Sequence, residues 1–379
     1  MGGNPRLSGR TEPLLKLNRR HLLFSMAALP GFTSARTACR VPGVRFPEDF
    51  GAHPDTRTEW WYVTGTLVQR TGPEAGARPW GFQVTFFRTT TGIARNHPSR
   101  FAARELIFGH AALTDVAAGR LRHDQRLARA GFGAASAARG STDIVLRDWR
   151  LARDGTANAG RYTARVHSPA AGFFLDLILT TTQPPLLQGV DGRSQKGPDP
   201  RQFSHYYSEP QLAVGGTVTQ EGRAAACTGR AWLDHEWSSE LMAPEAVGWD
   251  WLGMNLDDGS ALTAFRLRRM DGTPLYDGGS FRRLDGPVQA FAPGTVAFMP
   301  GRTWASAASG ARYPVEWTVN TPAGRFSVVA LVDAQELDSR ASTGAWYWEG
   351  LSDLRTLDGR RVGRGYLEMT GYASRLKLS

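Results

Sequence analysis

From Glu59 onward the chain is a succession of short aromatic and β-branched runs, each closed by Gly, Pro or Asp-Gly, and this punctuation constrains the fold more than any other feature. "EWWYVTGTLVQ" and "WGFQVTFFRTT" come first, followed by "ELIFGHAALTDV", "DIVLRDWRLARD", "RYTARVHS" and "GFFLDLILTTT". After the turn-rich "QPPLLQGVDGRSQKGPDPRQ" the style resumes with "PQLAVGGTVTQ", "ACTGRAWLDHEW" and "WDWLGMNLDDGSALTAFRLRR", and it closes with "GAWYWEGLSDL" and "GRGYLEMTGYASR". Asp258–Gly259, Asp271–Gly272 and Asp358–Gly359 read as hairpin turns. Helical periodicity is scarce, since "FAAREL" and "PEAVG" amount to single turns. Such runs at regular spacing predict an all-β chain of sandwiches or barrels. With 379 residues and a turn-rich break near 200, the economical arrangement is two antiparallel β-barrels packed together, residues 45–200 and 201–379. A barrel of about eight strands has an interior that holds one small apolar ligand.

Charge argues against one class of partner. Of the net +10, residues 1–40 carry +6, and the +4 that remains is too thin for a nucleic-acid-binding stripe. The N-terminal charge has its own explanation. "NRRHLLFSMAALPGFTSA" sets Arg19–Arg20 before an apolar run from Leu22 to Leu29 and small residues ending at Ala35, the order of a twin-arginine export signal. Residues 1–38 are therefore expected to be a signal peptide and the remainder a periplasmic or secreted protein. Membrane contact is expected to be transient at most, because no later run reaches ~18 apolar residues. Cys39 and Cys227 are the only cysteines; Arg36 stands where a lipoprotein signal wants Leu, and pairing of the two thiols stays open. Oligomeric state is not legible.

Two stretches set ionisable groups among large rings. In "HPDTRTEWWYVTG", Glu59 and Trp61 share one strand face, while Trp60 and Tyr62 share the other. In "RAWLDHEWSSE", Leu233, His235 and Trp237 share a face, and Trp232, Asp234 and Glu236 share the opposite one. Two polar-aromatic faces back to back cannot both meet water without cost, so at least one is expected to line a cavity. An aromatic wall with an ionisable group suits an apolar ligand, and it also steadies positive charge forming beneath the rings. His235, Trp237, Glu236, Asp234 and Glu59 are the candidate catalytic residues. Trp60, Trp61, His110, Tyr206, Tyr207 and Trp251 are the candidate ligand contacts.

Plainer readings stand beside these. His110 and His205 sit among apolar or aromatic neighbours, as packing histidines do, and Trp249, Trp251, Trp346 and Trp348 suit barrel core at half or more of their positions. Other chemistries lack their signals. No Gly-x-Ser-x-Gly occurs, and "HEWSS" has Ser239 where a zinc protease needs its second His. His53, His110, His205 and His235 include no pair at close ligand spacing, so neither a metal nor another cofactor is expected.

Five ordered motifs, "HPDTRTEWWYVTG", "FGHAALTD", "YYSEPQLAVGGTV", "GRAWLDHEWSS" and "GYASR", resemble a bacterial exported family described as lipocalin-like and as predicted secreted hydrolases. That family is related to the carotenoid 1,2-hydratases (hydroxyneurosporene synthases), and the resemblance runs from about Phe46 to Arg375. It implies two lipocalin-like barrels. From the hydratase branch it implies a working His-x-Trp pair, which carries over onto His235 and Trp237. A later Tyr-x-Asp pair would fall near Ala264 to Arg266, where neither residue stands. Adding water to a trisubstituted alkene needs an acid able to protonate carbon, and burial among tryptophans keeps a carboxyl protonated near neutral pH. Asp234, Glu236 and Glu59 are the carboxyls in view. Three functions stay open: a hydratase acting on an isoprenoid or lipid-like substrate, a non-catalytic carrier of a hydrophobic small molecule, and a hydrolase of another mechanism.

Overall fold

The computed structural model describes residues 1, 43–70, 72, 79–92, 97–99 and 101–376; the expected export signal and Cys39 lie outside them. Alternation makes the strands. In Phe173–Thr180, "FFLDLILT", residues Phe173, Leu175, Leu177 and Leu179 are buried, while Asp176, Ile178 and Thr180 are exposed. Among the described residues the only helical element is a single 3-10 turn, Glu48–Phe50. The Asp-Gly turns close hairpins as the sequence predicts, and Gly259, Gly272 and Gly359 take φ of 85°, 81° and 92°, where only glycine is at ease.

Residues 58–240 form one antiparallel sheet of 13 strands. Its order begins Arg120–Arg129, Glu105–Asp115, Pro79–Thr90, Thr58–Gln69 and Arg223–Glu240. It continues through Phe203–Gln220, Phe173–Thr180, Ala159–Ser168, Trp149–Thr156, Asp143–Leu146 and Ala135–Ala137. The sheet curls until its ends meet: a Cβ on Gly109 would lie 3.1 Å from Leu146 and 3.3 Å from Trp149, which belong to the far end of that order. Residues 248–370 contain a second sheet of ten strands, with Gly248–Leu256, Arg361–Thr370 and Trp346–Arg355 at its centre. Both enclosed interiors are packed solid. Trp61, Trp149, Tyr162 and Tyr207 fill the first, and Trp317, Trp348, Met254 and Leu367 fill the second. The two-barrel, lipocalin-like architecture is therefore present.

The break at 200/201 is not where the sheets divide. Phe203–Gln220 and Arg223–Glu240 pair with the first sheet, and the changeover falls in residues 241–247. The turn-rich passage is instead a strap whose short strands Leu186–Leu187 and Arg193–Gln195 pair onto Phe203–Gln220. Its Gly and Pro residues mark changes of direction inside one sheet, which composition cannot tell from a linker.

The two sheets pack through Tyr62, Trp232, Trp251, Phe265, Leu351 and Tyr366. Gly81 sets how closely they approach, because a Cβ there would sit 2.6 Å from the Tyr366 hydroxyl and 3.0 Å from Leu351 Cβ. Gly81→Ala should therefore cost about 1–3 kcal/mol by overpacking. Gly215→Ala, where a Cβ meets nothing within 4 Å, should change stability by less than about 0.5 kcal/mol. Urea denaturation of the two variants checks the contrast.

Candidate functional site

Alternation along the central strands sends neighbouring residues to different places. Residues 231–238 are buried without a break, so both faces of this strand are covered. Its odd positions, Leu233, His235 and Trp237, enter the first barrel's core. Its even positions, Asp234 and Glu236, line a cavity of about 850 Å³ between the two sheets. The same parity splits Trp60 and Tyr62, which line the cavity, from Glu59 and Trp61 behind them.

Of the residues singled out from sequence, Trp60, His110, Tyr206, Trp251, Asp234 and Glu236 meet at this cavity. His235, Trp237, Glu59, Trp61 and Tyr207 do not; they lie on the core side. The expectation of a ligand inside a rolled sheet beside His235 is thus corrected: that interior is full, and the space lies between the sheets.

On the core side, Glu59 is the hub of a clamp. Arg88 Nε donates to Glu59 Oε2 at 2.7 Å, and His53 Nδ1 and His235 Nε2 meet Oε1 at 2.7 and 2.8 Å. Arg88 also binds the carbonyls of His53 and Thr56, and the His53 ring stacks on Trp237 at 3.8 Å. Burial opposes the charge on Glu59, but hydrogen bonds from His235 and His53 outweigh it and hold the carboxyl far below its ordinary range. Burial likewise opposes protonation of His53, and Asp49 and Glu59 overcome it, raising its pKa. The donor atoms of His53, Glu59 and His235 lie within 4.8 Å of one another, a metal-like spacing. Yet the guanidinium of Arg88 already holds that carboxylate, and its charge repels a cation. The cluster is a clamp that ties the segment before Thr58 to the first barrel.

The cavity has the opposite character. Glu349 and Glu368 stand directly opposite each other on adjacent strands of the second sheet, and both reach it. Cross-strand partners sit about 5 Å apart at Cβ, so their carboxyls compete for charge. Burial, and then the charge of Glu368, pushes Glu349 well above the ordinary carboxyl range. Burial pushes Glu368 up to about 7, with Asp234 and Glu236 adding to the effect against a Trp249 hydrogen bond. Burial also lifts Asp234 to about 7, although it accepts hydrogen bonds from Ser208 at 2.6 Å, Trp232 at 2.7 Å and Tyr206 at 2.9 Å. Lys196 pairs with Glu236 at 3.0 Å and lies over the rings of Tyr206 and Phe265. The aromatic wall adds Trp249 and Trp251.

Glu349, Glu368, Lys196 and Trp249 were not among the residues singled out from sequence as a site. Each of the two glutamates is a lone acid in an apolar strand, "WYWEGL" and "GYLEMT", and that incongruity was the available signal.

His110 also reaches the cavity, next to Ser342, at 2.8 Å from Nε2. The Ser342 hydroxyl donates to Gln125 Oε1 at 2.7 Å, an oxygen fixed because Gln125 Nε2 donates to the Asp338 carbonyl. Nε2 of His110 must then carry the proton and donate to Ser342, so this imidazole cannot activate that hydroxyl. Burial lowers its pKa to about 3, which weakens it further as a base. Acyl transfer gains no footing here.

The chain belongs to the AttH-like family, whose model matches residues 38–372. An AttH homologue from Nitrosomonas europaea is 48% identical and superposes with a TM-score of 0.78 over 87% of this chain and 98% of its own. Kievitone hydratase from Nectria haematococca is 13% identical and shares the fold, with a TM-score of 0.66 over 88% of this chain and 94% of its own. A comparison with curated proteins finds no match. The family resemblance read from the five motifs is confirmed.

A carboxyl whose pKa is higher in the fold than in the unfolded chain stabilises the fold fully below the unfolded value, and that contribution is lost as pH rises through the folded value. For Glu368 the window runs from 4.5 to about 7. Glu368→Gln, neutral at every pH, should match the parent within about 1 kcal/mol near pH ~4 and exceed it by about 1–3 kcal/mol near pH ~8. Urea denaturation at the two pH values measures the difference.

Proposed function

We propose that this protein adds water to, or removes it from, a carbon–carbon double bond of an apolar, isoprenoid-like molecule held in the cavity between the sheets. The observation that carries the reading is the Glu349–Glu368 pair on the wall of an aromatic cavity of about 850 Å³. Two abutting buried carboxyls keep a proton near neutral pH, as a general acid for carbon must. That a protein of the same fold is named a hydratase agrees with the reading without deciding it. The twin-arginine stretch supports export as part of the same proposal.

In the forward direction the protonated member of the pair delivers its proton to one alkene carbon, and the electron pair of the double bond forms the new C–H bond. The cation left on the other carbon lies beneath Trp60, Trp249 and Trp251, whose faces attract positive charge. Water adds to that carbon, and Asp234, with a pKa of about 7, takes the proton that water releases. The His-x-Trp pair of the hydratase branch plays no part in this scheme, because His235 and Trp237 face the core.

Incubation with acyclic isoprenoid alkenes in heavy water should give an alcohol bearing deuterium on carbon. Glu349→Gln and Glu368→Gln should each slow product formation by about 10²–10⁴-fold. His235→Ala should lower the folded fraction without a comparable loss of turnover per folded molecule. Recovery of a bound ligand, unchanged, from an otherwise inactive protein would make it a carrier.

A further inference from the structure

Among the described residues, carboxyls facing the cavity outnumber the cations that answer them. Four line its interior, Asp234, Glu236, Glu349 and Glu368, and a fifth, Glu240, is exposed at the rim. Lys196 answers Glu236, whereas Asp234 is held by the neutral donors Tyr206, Ser208 and Trp232. Glu349 receives a hydrogen bond from Gln83 at 2.7 Å through Oε2, and no cation. His110 is neutral, and Arg57, Arg201 and Arg375 are exposed at the rim, where Arg201 pairs with Asp199.

A second observation falls at the same place. The Tyr62 hydroxyl and Glu349 Oε1 belong to residues of the cavity wall and interact with each other, yet neither meets a partner in full hydrogen-bonding geometry. Tyr62 is only 6% exposed and Glu349 only 2%. Buried polar atoms are ordinarily fully paired, so an under-satisfied pair in a cavity wall marks where a ligand's polar group belongs. Acceptor capacity without a counter-ion, wrapped in tryptophan faces, selects that group's charge. Ring faces attract cations, and a buried carboxylate that lacks a cation holds a proton in its stead.

We propose that the cavity binds a lipophilic ammonium, a tertiary or quaternary amine on an apolar chain, with its nitrogen against Glu349 and Glu368 and its chain along Trp60, Trp249 and Trp251. The inference deepens the hydration reading and rests on its cavity. A quaternary nitrogen holds permanently the charge and shape that a tertiary carbocation has in passing. Binding itself does not require turnover.

Titration calorimetry of the full chain with octyltrimethylammonium, its uncharged tert-butyl counterpart and octanesulfonate tests this. The ammonium should bind at least about tenfold more tightly than the neutral probe, with the sulfonate weakest. The double variant Glu349→Gln, Glu368→Gln should lose that preference and keep its affinity for the neutral probe. Equal or tighter binding of the neutral or anionic probe, no binding of any probe, or an ammonium preference that survives the double variant overturns the proposal. If the double variant does not fold, the ranking on the unaltered chain decides alone. Hydration activity without ammonium preference removes only this inference, and ammonium preference without hydration removes only the function proposed above.

Discussion

Strands covered on both faces are the constraint from which the rest of this structure follows. Two curled sheets sit back to back, and the strands where they meet have a packed barrel interior on one side and the shared cavity on the other. Along such a strand a step of one residue changes the surroundings completely. Trp60 and Trp61, or Asp234 and His235, are neighbours in sequence with separate tasks. A solid core can be maintained behind a wall that carries charge, because parity keeps the two sets apart.

That separation explains why buried glutamates in one chain behave in opposite ways. Glu59 lies among Arg88, His53 and His235, so its charge is compensated and it stays ionised. Glu349 has Gln83 and another carboxyl for company, so it holds a proton. Burial is the same in both; the partners differ. A compensated carboxylate ties segments together, as Glu59 ties the stretch before Thr58 to the first barrel. An uncompensated one remains available to a ligand or a reacting carbon.

Much of the fold was legible in the sequence because alternation and turn chemistry are local. The Asp-Gly hairpins, the near-absence of helix and the division of "WLDHEW" into two faces all follow from spacings of one to four residues. Which face meets the cavity is not local. It depends on the second sheet covering Asp234 and Glu236, and on the first sheet closing over His235. Glu349 reads as an isolated acid until the fold brings Gln83 to it from 266 positions away. The break at 200/201 misled for a related reason, since turns inside a sheet and turns between sheets use the same residues.

The central claim is that the space between the sheets keeps a carboxyl protonated where water would ionise it. Infrared spectroscopy of the protein in heavy water at about pH 6.5 reads this directly, through the carbonyl stretch of a protonated carboxyl, a group that an ordinary glutamate no longer is at that pH. The account predicts such a band in the parent protein and its marked weakening in the double variant Glu349→Gln, Glu368→Gln, where Asp234 carries the remainder. A parent spectrum without the band, or a band unchanged by both substitutions, would contradict it.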